Sequence, residues 1–268
     1  MPFELEPGAV ALVALMATLY ARAVAVLRLR GYDVPAGQRA AWWLGLFLVA
    51  AGLIGPVDAL SEDLVLAHMG QHLLLADLAA PFLLIGLRSP VYAFYLPRPL
   101  LVSLARRTRL RRVFRTLRRP MVAVPVWVVL LYGWHFSFAF VGALENPLVH
   151  VAQHLSFLFG AMLVWWSVIE PKRRRLPGDL WKVPYLLGAR LPGMLLGMSL
   201  ILLRSPAYGA YYGDRPRDHG FSPLTDQQVA GGMMMGLDLM VMLFSVAFFF
   251  YRSAQEHDQA ERAAAAAS

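Results

Sequence analysis

Cysteine does not occur in the chain. Its absence excludes disulfides, thiolate-bound metals and cysteine nucleophiles, so a metal site has only histidine, methionine, carboxylate or backbone donors. Charge is scarce too. Charged residues make up 16% of the sequence, against about 25% in soluble domains. Acids are outnumbered by bases, 17 to 25, which leaves a net charge of +8. The opening stretch Met1 to Pro7 is acidic and no small-residue cleavage site follows the first apolar run, so no removable signal peptide is expected.

What the chain has is apolar length. Hydrophobic residues make up 58% of its 268 residues, and they fall in runs of about 20, enough to cross a hydrocarbon core roughly 30 Å thick. Length alone permits one or two domains; the apolar runs decide for one. Seven runs stand out, at approximately 8–28, 40–57, 64–87, 121–141, 147–169, 181–203 and 227–251. The expected fold is all-α: a polytopic membrane helix bundle of seven transmembrane helices over residues 1–252, with a polar tail at 253–268.

The connections orient this bundle. Arg28, Arg30 and Arg39 follow the first run. Residues 88–119, after the third, hold ten arginines and no acid, and Lys172, Arg173, Arg174, Arg175 and Lys182 follow the fifth. The alternate connections carry Asp58, Glu62, Asp63 and Glu145 instead. By the positive-inside rule the arginine-rich loops are cytoplasmic, which puts the N-terminus outside and the C-terminal tail in the cytoplasm. This placement accounts for the net positive charge without a nucleic-acid partner. The 88–119 loop reads as a topology anchor lying on anionic lipid of the bilayer.

Of seven histidines, His257 falls in the tail and His219 in the outer loop before the seventh run. The other five are intramembrane. His68 and His72 open the third run, His135 closes the fourth, and His150 and His154 open the fifth. The orientation rests on basic residues alone, yet it gathers all five within roughly the outer 10–12 Å of the membrane. His68/His72 and His150/His154 are each spaced i, i+4, which puts both rings on one helix face, where two imidazoles can grip one ion. The segments His68-Met69-Gly70-Gln71-His72-Leu73 and His150-Val151-Ala152-Gln153-His154-Leu155 share the pattern H-x-x-Q-H-L, a weak internal repeat around one site.

Imidazole in lipid is costly unless it faces a protein interior, which favours a metal site over simple packing. A proton relay or pH-sensing cluster is the rival. Imidazole suits copper, zinc, iron and nickel; a thioether favours Cu(I). Met69, and Met233, Met234 and Met235 in the seventh run, supply thioethers at similar depth. Asp226 and Gln227 open the seventh run as candidate ligands or as partners that orient the rings, with a helix-capping role for Asp226 as the alternative. The one-turn spacing within each pair suits one or two ions better than two stacked haems, although a single haem between His72 and His154 remains open. Deeper in the membrane, Asp77, Arg190 and Asp238 fall within roughly 10–14 Å of the cytoplasmic edge. A structural ion pair is the first expectation for this layer and a proton or ion path the second.

These residues resemble the multi-spanning CtaG family of cytochrome c oxidase assembly proteins linked to caa-type oxidases. The resemblance covers the second to the seventh run. It is carried by His68-x-x-x-His72 with Ala80-Pro81-Phe82-Leu83-Leu84 and Gly86, by Trp134-His135-Phe136, by Leu144-Glu145-Asn146-Pro147 with His150-x-x-x-His154, and by Ser222-Pro223-Leu224-Thr225-Asp226-Gln227-Gln228 before a Gly-Gly-Met stretch. Ser137 stands where a proline is common in that family. The resemblance implies a role in maturing the oxidase in a bacterial plasma (inner) membrane, with copper delivery as its chemistry. Oxidase subunits and other copper chaperones would be its partners. A single-span, cysteine-using copper chaperone of the same name is unrelated. Two readings from other classes stand beside it: a seven-span zinc-dependent membrane hydrolase using Glu145 or Asp226 as base, for which no HExxH is present, and a haem-binding membrane protein. The deep charged layer is the only support for a transporter.

Overall fold

In the computed structural model the described residues are 7–171 and 180–267, and among them every regular element is helical. The cationic residues Lys172, Arg173, Arg174 and Arg175, which helped to set the orientation, lie outside the described residues. So does the acidic start of the chain as far as residue 6. The principal helices are α1 (Pro7–Leu29), α2 (Ala36–Leu53), α3 (Val65–Gly86), α4 (Arg98–Arg106), α5 (Thr108–Leu117), α6 (Pro120–His135), α7 (Ser137–Glu145), α8 (Pro147–Ile169), α9 (Lys182–Leu202) and α10 (Pro223–Ala267).

Five of these helices, α1, α3, α8, α9 and α10, are long and apolar enough to cross a membrane, and the bent pair α6–α7 makes a sixth if it counts as one span. Two departures separate this from the expected seven straight crossings. The fourth run breaks at Phe136, whose backbone is extended (ψ 134), so α7 leaves α6 at 73°. The second run starts earlier than its apolar stretch: α2 takes Gln38 and Arg39 into its first turns and falls short of a full apolar crossing. The Gln38 side chain explains the early start. Its Nε2 donates to the carbonyls of Gly86 (2.9 Å) and Arg88 (2.8 Å), satisfying acceptors at the C-terminal end of α3 that the helix itself leaves open.

Glycines set how closely the helices approach. A Cβ on Gly86 would lie 2.6 Å from Trp42 Cβ, and one on Gly45 would lie 2.9 Å from the Leu83 nitrogen, so α2 and α3 touch backbone to backbone. Trp42 in turn stacks on Tyr20 of α1, centroids 4.5 Å apart. Gly193 and Gly197, spaced G-x-x-x-G on α9, do the same against α10: a Cβ on Gly197 would meet the Gly231 carbonyl oxygen at 2.7 Å. Small residues at this spacing let helices pack closely where lipid provides no hydrophobic drive between them.

α3 is the most enclosed of the candidate spans. Its middle, Leu74–Ala79, is a π-helical turn that follows the two histidines and itself carries Asp77. Large apolar side chains such as Val129, Leu202 and Phe244 stand outward and exposed, as lipid-facing positions do in a membrane bundle. The arginine-rich segment forms α4 and α5, in which no residue is buried. Arg118 then docks back on the bundle over the rings of Phe114 and Trp166, 4.7 Å from each. The tail continues α10 as one helix to Ala267.

Candidate metal centre

Both histidine pairs sit where a helix begins, and each start is fixed by a side chain. Asn146 caps α8: its Oδ1 accepts from the backbone N–H of Leu148 (3.0 Å) and Val149 (3.3 Å), with Pro147 in the first helical position. The cap of α3 comes from far along the chain. Asp226, in the first turn of α10, accepts from the N–H of Val65 (2.7 Å) and Leu66 (3.0 Å).

With both starts fixed, the rings converge. Centroids are 4.5 Å apart for His68–His72 and 4.3 Å for His150–His154. Across the helices, His68 lies 5.3 Å from His150 and 5.8 Å from His154, and His72 lies 5.4 Å from His154 and 5.9 Å from His135. All five predicted rings are thus in one cluster. His68, His72 and His154 are the group whose ligand atoms all lie within 4.8 Å of one another. Imidazoles on one ion at about 2.0–2.1 Å stand closer than that, about 3.3 Å apart, so binding would draw the rings inward by about 1 Å.

The donor atoms fit a cation. Both ring nitrogens of His68 and of His72, and Nε2 of His150 and of His154, are buried without a hydrogen-bond partner. Unmatched polar atoms are expensive in a protein interior, and a metal ion would match one ring nitrogen from each histidine that binds it.

The remaining predicted residues have other surroundings. His150 is half-buried and stacks on His68 at an interplanar angle of 19°. His135 holds the Leu131 carbonyl and Met69. His219 sits in the outer loop against Asp63, 3.1 Å away. Gln227 accepts from the Ala207 N–H (2.6 Å) and donates to the Leu200 carbonyl, and Gln228 donates to the Ile201 carbonyl. The Thr-Asp-Gln-Gln stretch therefore closes two helix ends, the start of α3 and the end of α9. Met234 lines a small cavity with His72 and His135, and the Met233 methyl would lie 3.9 Å from a Cβ at Gly70. Glu145 is exposed.

An aromatic cover that the sequence reading missed lies over the rings. Because the helix breaks at Phe136, α7 folds back and puts Phe140 4.7 Å from His68. Tyr208 stacks on the other face of this cover, 3.9 Å from Phe140, and its hydroxyl donates to the His135 carbonyl that the break leaves open (3.1 Å). Tyr212 donates to the Ser61 carbonyl (2.9 Å). Burial pushes both tyrosine hydroxyls up from their ordinary range, so they remain donors. Beside the cluster, a cavity of about 370 Å³ between α1 and α8 has His150, His154 and Asp58 in its wall. Asp58 receives a hydrogen bond from Gln71 Nε2 (2.6 Å), which gives the glutamine of the first H-x-x-Q-H-L segment a partner.

Below the rings, Arg190 is clamped between two carboxylates. It donates to Asp77 and, at 3.1 Å, to Asp238, and its guanidinium lies 5.2 Å from the Trp165 ring. The expected ion pair is a triad. A cavity of about 20 Å³ lined by Met69, His72, His135, Met234, Asp77 and Asp238 lies between this layer and the histidines.

Comparisons with known proteins agree with the ordered motifs. The chain is 26% identical over 256 residues to an uncharacterized protein of Mycobacterium bovis, and equally to one of Mycobacterium tuberculosis; each match covers 91% of this chain and 38% of the relative. The chain thus spans well under half the length of the curated relatives it matches. No solved structure matches it significantly. The family model for the cytochrome c oxidase caa3 assembly factor (Caa3_CtaG) matches residues 18–256, and the chain belongs to that family.

Proposed function

We propose that this protein is a cytochrome c oxidase assembly factor of the bacterial plasma membrane that takes up copper at His68, His72 and His154 and passes it to an oxidase subunit. The observation that carries this reading is the buried group of three histidines, whose ring nitrogens are orphaned or within 4.8 Å of one another. Copper is the cargo. Imidazole holds it in either oxidation state, and the neighbouring thioethers favour Cu(I). The inward shift needed to close on an ion suits a site that must also release it. The orientation inferred from the arginines places the cluster toward the outer face, the side from which another copper chaperone would approach. In this reading α2 and the bent pair α6–α7 complete seven crossings.

The zinc-hydrolase reading has weaker support. Both oxygens of Asp226 accept from α3, and Glu145 is exposed. A porphyrin would have to part rings 5.4 Å apart that three more histidines surround, which favours an ion.

The test is copper content of detergent-purified protein after anaerobic Cu(I) loading, wild type beside His72→Ala/His154→Ala. It is paired with oxidase activity in membranes of a strain that depends on each version. Copper lost in the variant together with oxidase activity supports delivery. Normal oxidase maturation by the variant sinks it.

A further inference from the structure

We infer that a second, softer copper position lies directly beneath the three-histidine group, formed by Met69 Sδ, His135 Nε2 and a nitrogen of His72, and that it takes Cu(I). This rests on the proposal that copper is the cargo, and it goes further by giving the ion a path and an oxidation state.

The argument begins with one proton. His135 Nδ1 lies 2.7 Å from the Leu131 carbonyl oxygen. A carbonyl only accepts, so Nδ1 carries the hydrogen, and a neutral imidazole then has a bare lone pair on Nε2. That lone pair faces Met69 Sδ at 3.3 Å. A thioether has no hydrogen to give. Two electron-pair donors therefore point at each other in a closed interior, Met69 being wholly buried and His135 8% exposed. A second proton on His135 would relieve the contact only by burying a cation beside the rings of Phe140 and Phe157, which costs far more than a neutral contact. A metal cation between nitrogen and sulfur relieves it directly.

The surroundings supply the rest of a ligand set. The cavity of about 20 Å³ is bounded by Met69, His72, His135 and Met234, room for about one water-sized body. Both nitrogens of His72 lack partners. One thioether beside two imidazoles favours Cu(I) over zinc. His72 belongs to both positions, so the ion moves between them by exchanging His68 and His154 for Met69 and His135 while His72 stays bound. Copper remains Cu(I) throughout, and no electron or proton is transferred.

The experiment uses selenomethionine-labelled protein in detergent, loaded with Cu(I) under anaerobic conditions, with copper-edge X-ray absorption and metal content read together. Wild type should hold about one copper ion, exchanging between the two positions, and show copper–selenium scattering. Met69→Leu, a volume-conserving change, should lose that scattering while copper remains in the three-histidine position; His154→Ala should keep it. Copper bound with nitrogen scattering alone, or selenium scattering unaltered by Met69→Leu, overturns the second position and leaves the three-histidine reading standing. No copper on wild type overturns both.

Discussion

The carboxylate of Asp226 reaches from the first turn of α10 to accept the N–H of Val65 at 2.7 Å, so the helix that carries His68 and His72 is started by a residue far away in sequence. Hydrogen bonds to a charged acceptor contribute about 1.5–3 kcal/mol each. Asp226→Ala removes two such bonds and should lower stability by about 3–6 kcal/mol, with Asp226→Asn in between, and copper stoichiometry should stay unchanged. The unfolding midpoint in detergent and the metal content of the same sample check this. Lost copper with an unmoved midpoint would make Asp226 a ligand instead.

Arg190 neutralises two buried carboxylates at once. Arg190→Met should destabilise by about 3–5 kcal/mol, because Asp77 and Asp238 are left as uncompensated charges. Adding Asp77→Asn and Asp238→Asn should recover most of that loss. Gly193→Ala should act in the same direction, since a Cβ there collides with the Asp238 carboxylate. Urea or thermal unfolding of the four proteins separates these outcomes.

Tyr208 closes the cluster from outside. Tyr208→Phe removes only the hydroxyl bond to His135 and should cost about 1 kcal/mol. Tyr208→Ala also removes the stack on Phe140 and should speed Cu(I) loss to a chromophoric chelator about tenfold. A release rate unmoved by either change would mean that the ion leaves by another route.

The raised tyrosines also set a pH limit. A phenol whose folded pKa lies above its unfolded value of about 10 contributes stability that is fully present below pH 10 and is lost as pH rises beyond it. Stability should therefore fall above about pH 10, and less steeply in Tyr208→Phe/Tyr212→Phe. Equal slopes in the two proteins would assign the loss to other groups.

A chain without cysteine is ready for site-directed labelling. Arg109 and Asp214 are both exposed. With Asp214→Cys, a membrane-impermeant maleimide should react on intact cells; with Arg109→Cys it should react only after permeabilisation. The reverse pattern would invert the bundle and place the histidines at the cytoplasmic face.

The histidine cluster was legible because two simple regularities coincide, the i, i+4 spacing and the alternation of basic loops. Either alone would have left His135 unassigned; together they put it beside His72. The Asp77–Arg190–Asp238 layer was legible because charge in lipid must find charge. What escaped was decided by backbone events with no strong sequence mark. The break at Phe136 comes in an apolar stretch, with Ser137 its only sign, and it creates the Phe140–Tyr208 cover. Gln228 and Gln38 read as ordinary polar residues and Gln227 as a candidate ligand or ring partner, yet each satisfies carbonyls at the end of a helix other than its own. Among Met233, Met234 and Met235, the choice of which faces the rings depends on the rotation of α10, which its contacts with α9 set. Asp58 marked an outer loop and gave no hint that Gln71 would hold it beside the site.

The wide turn at Leu74–Ala79 sets the phase between the two parts of α3. A π turn accommodates about one more residue than an α turn, and each residue advances a helix by about 100°. The lower half of α3 is therefore out of phase with the upper half by design of length, not composition. A single-residue deletion between 74 and 76 would leave every histidine and aspartate in the gene, and each part of the helix would still be apolar. Asp77 would nevertheless swing away from Arg190 while His68 and His72 kept their places. A change of length at this turn could thus leave the histidine layer in place and undo the charged layer beneath it.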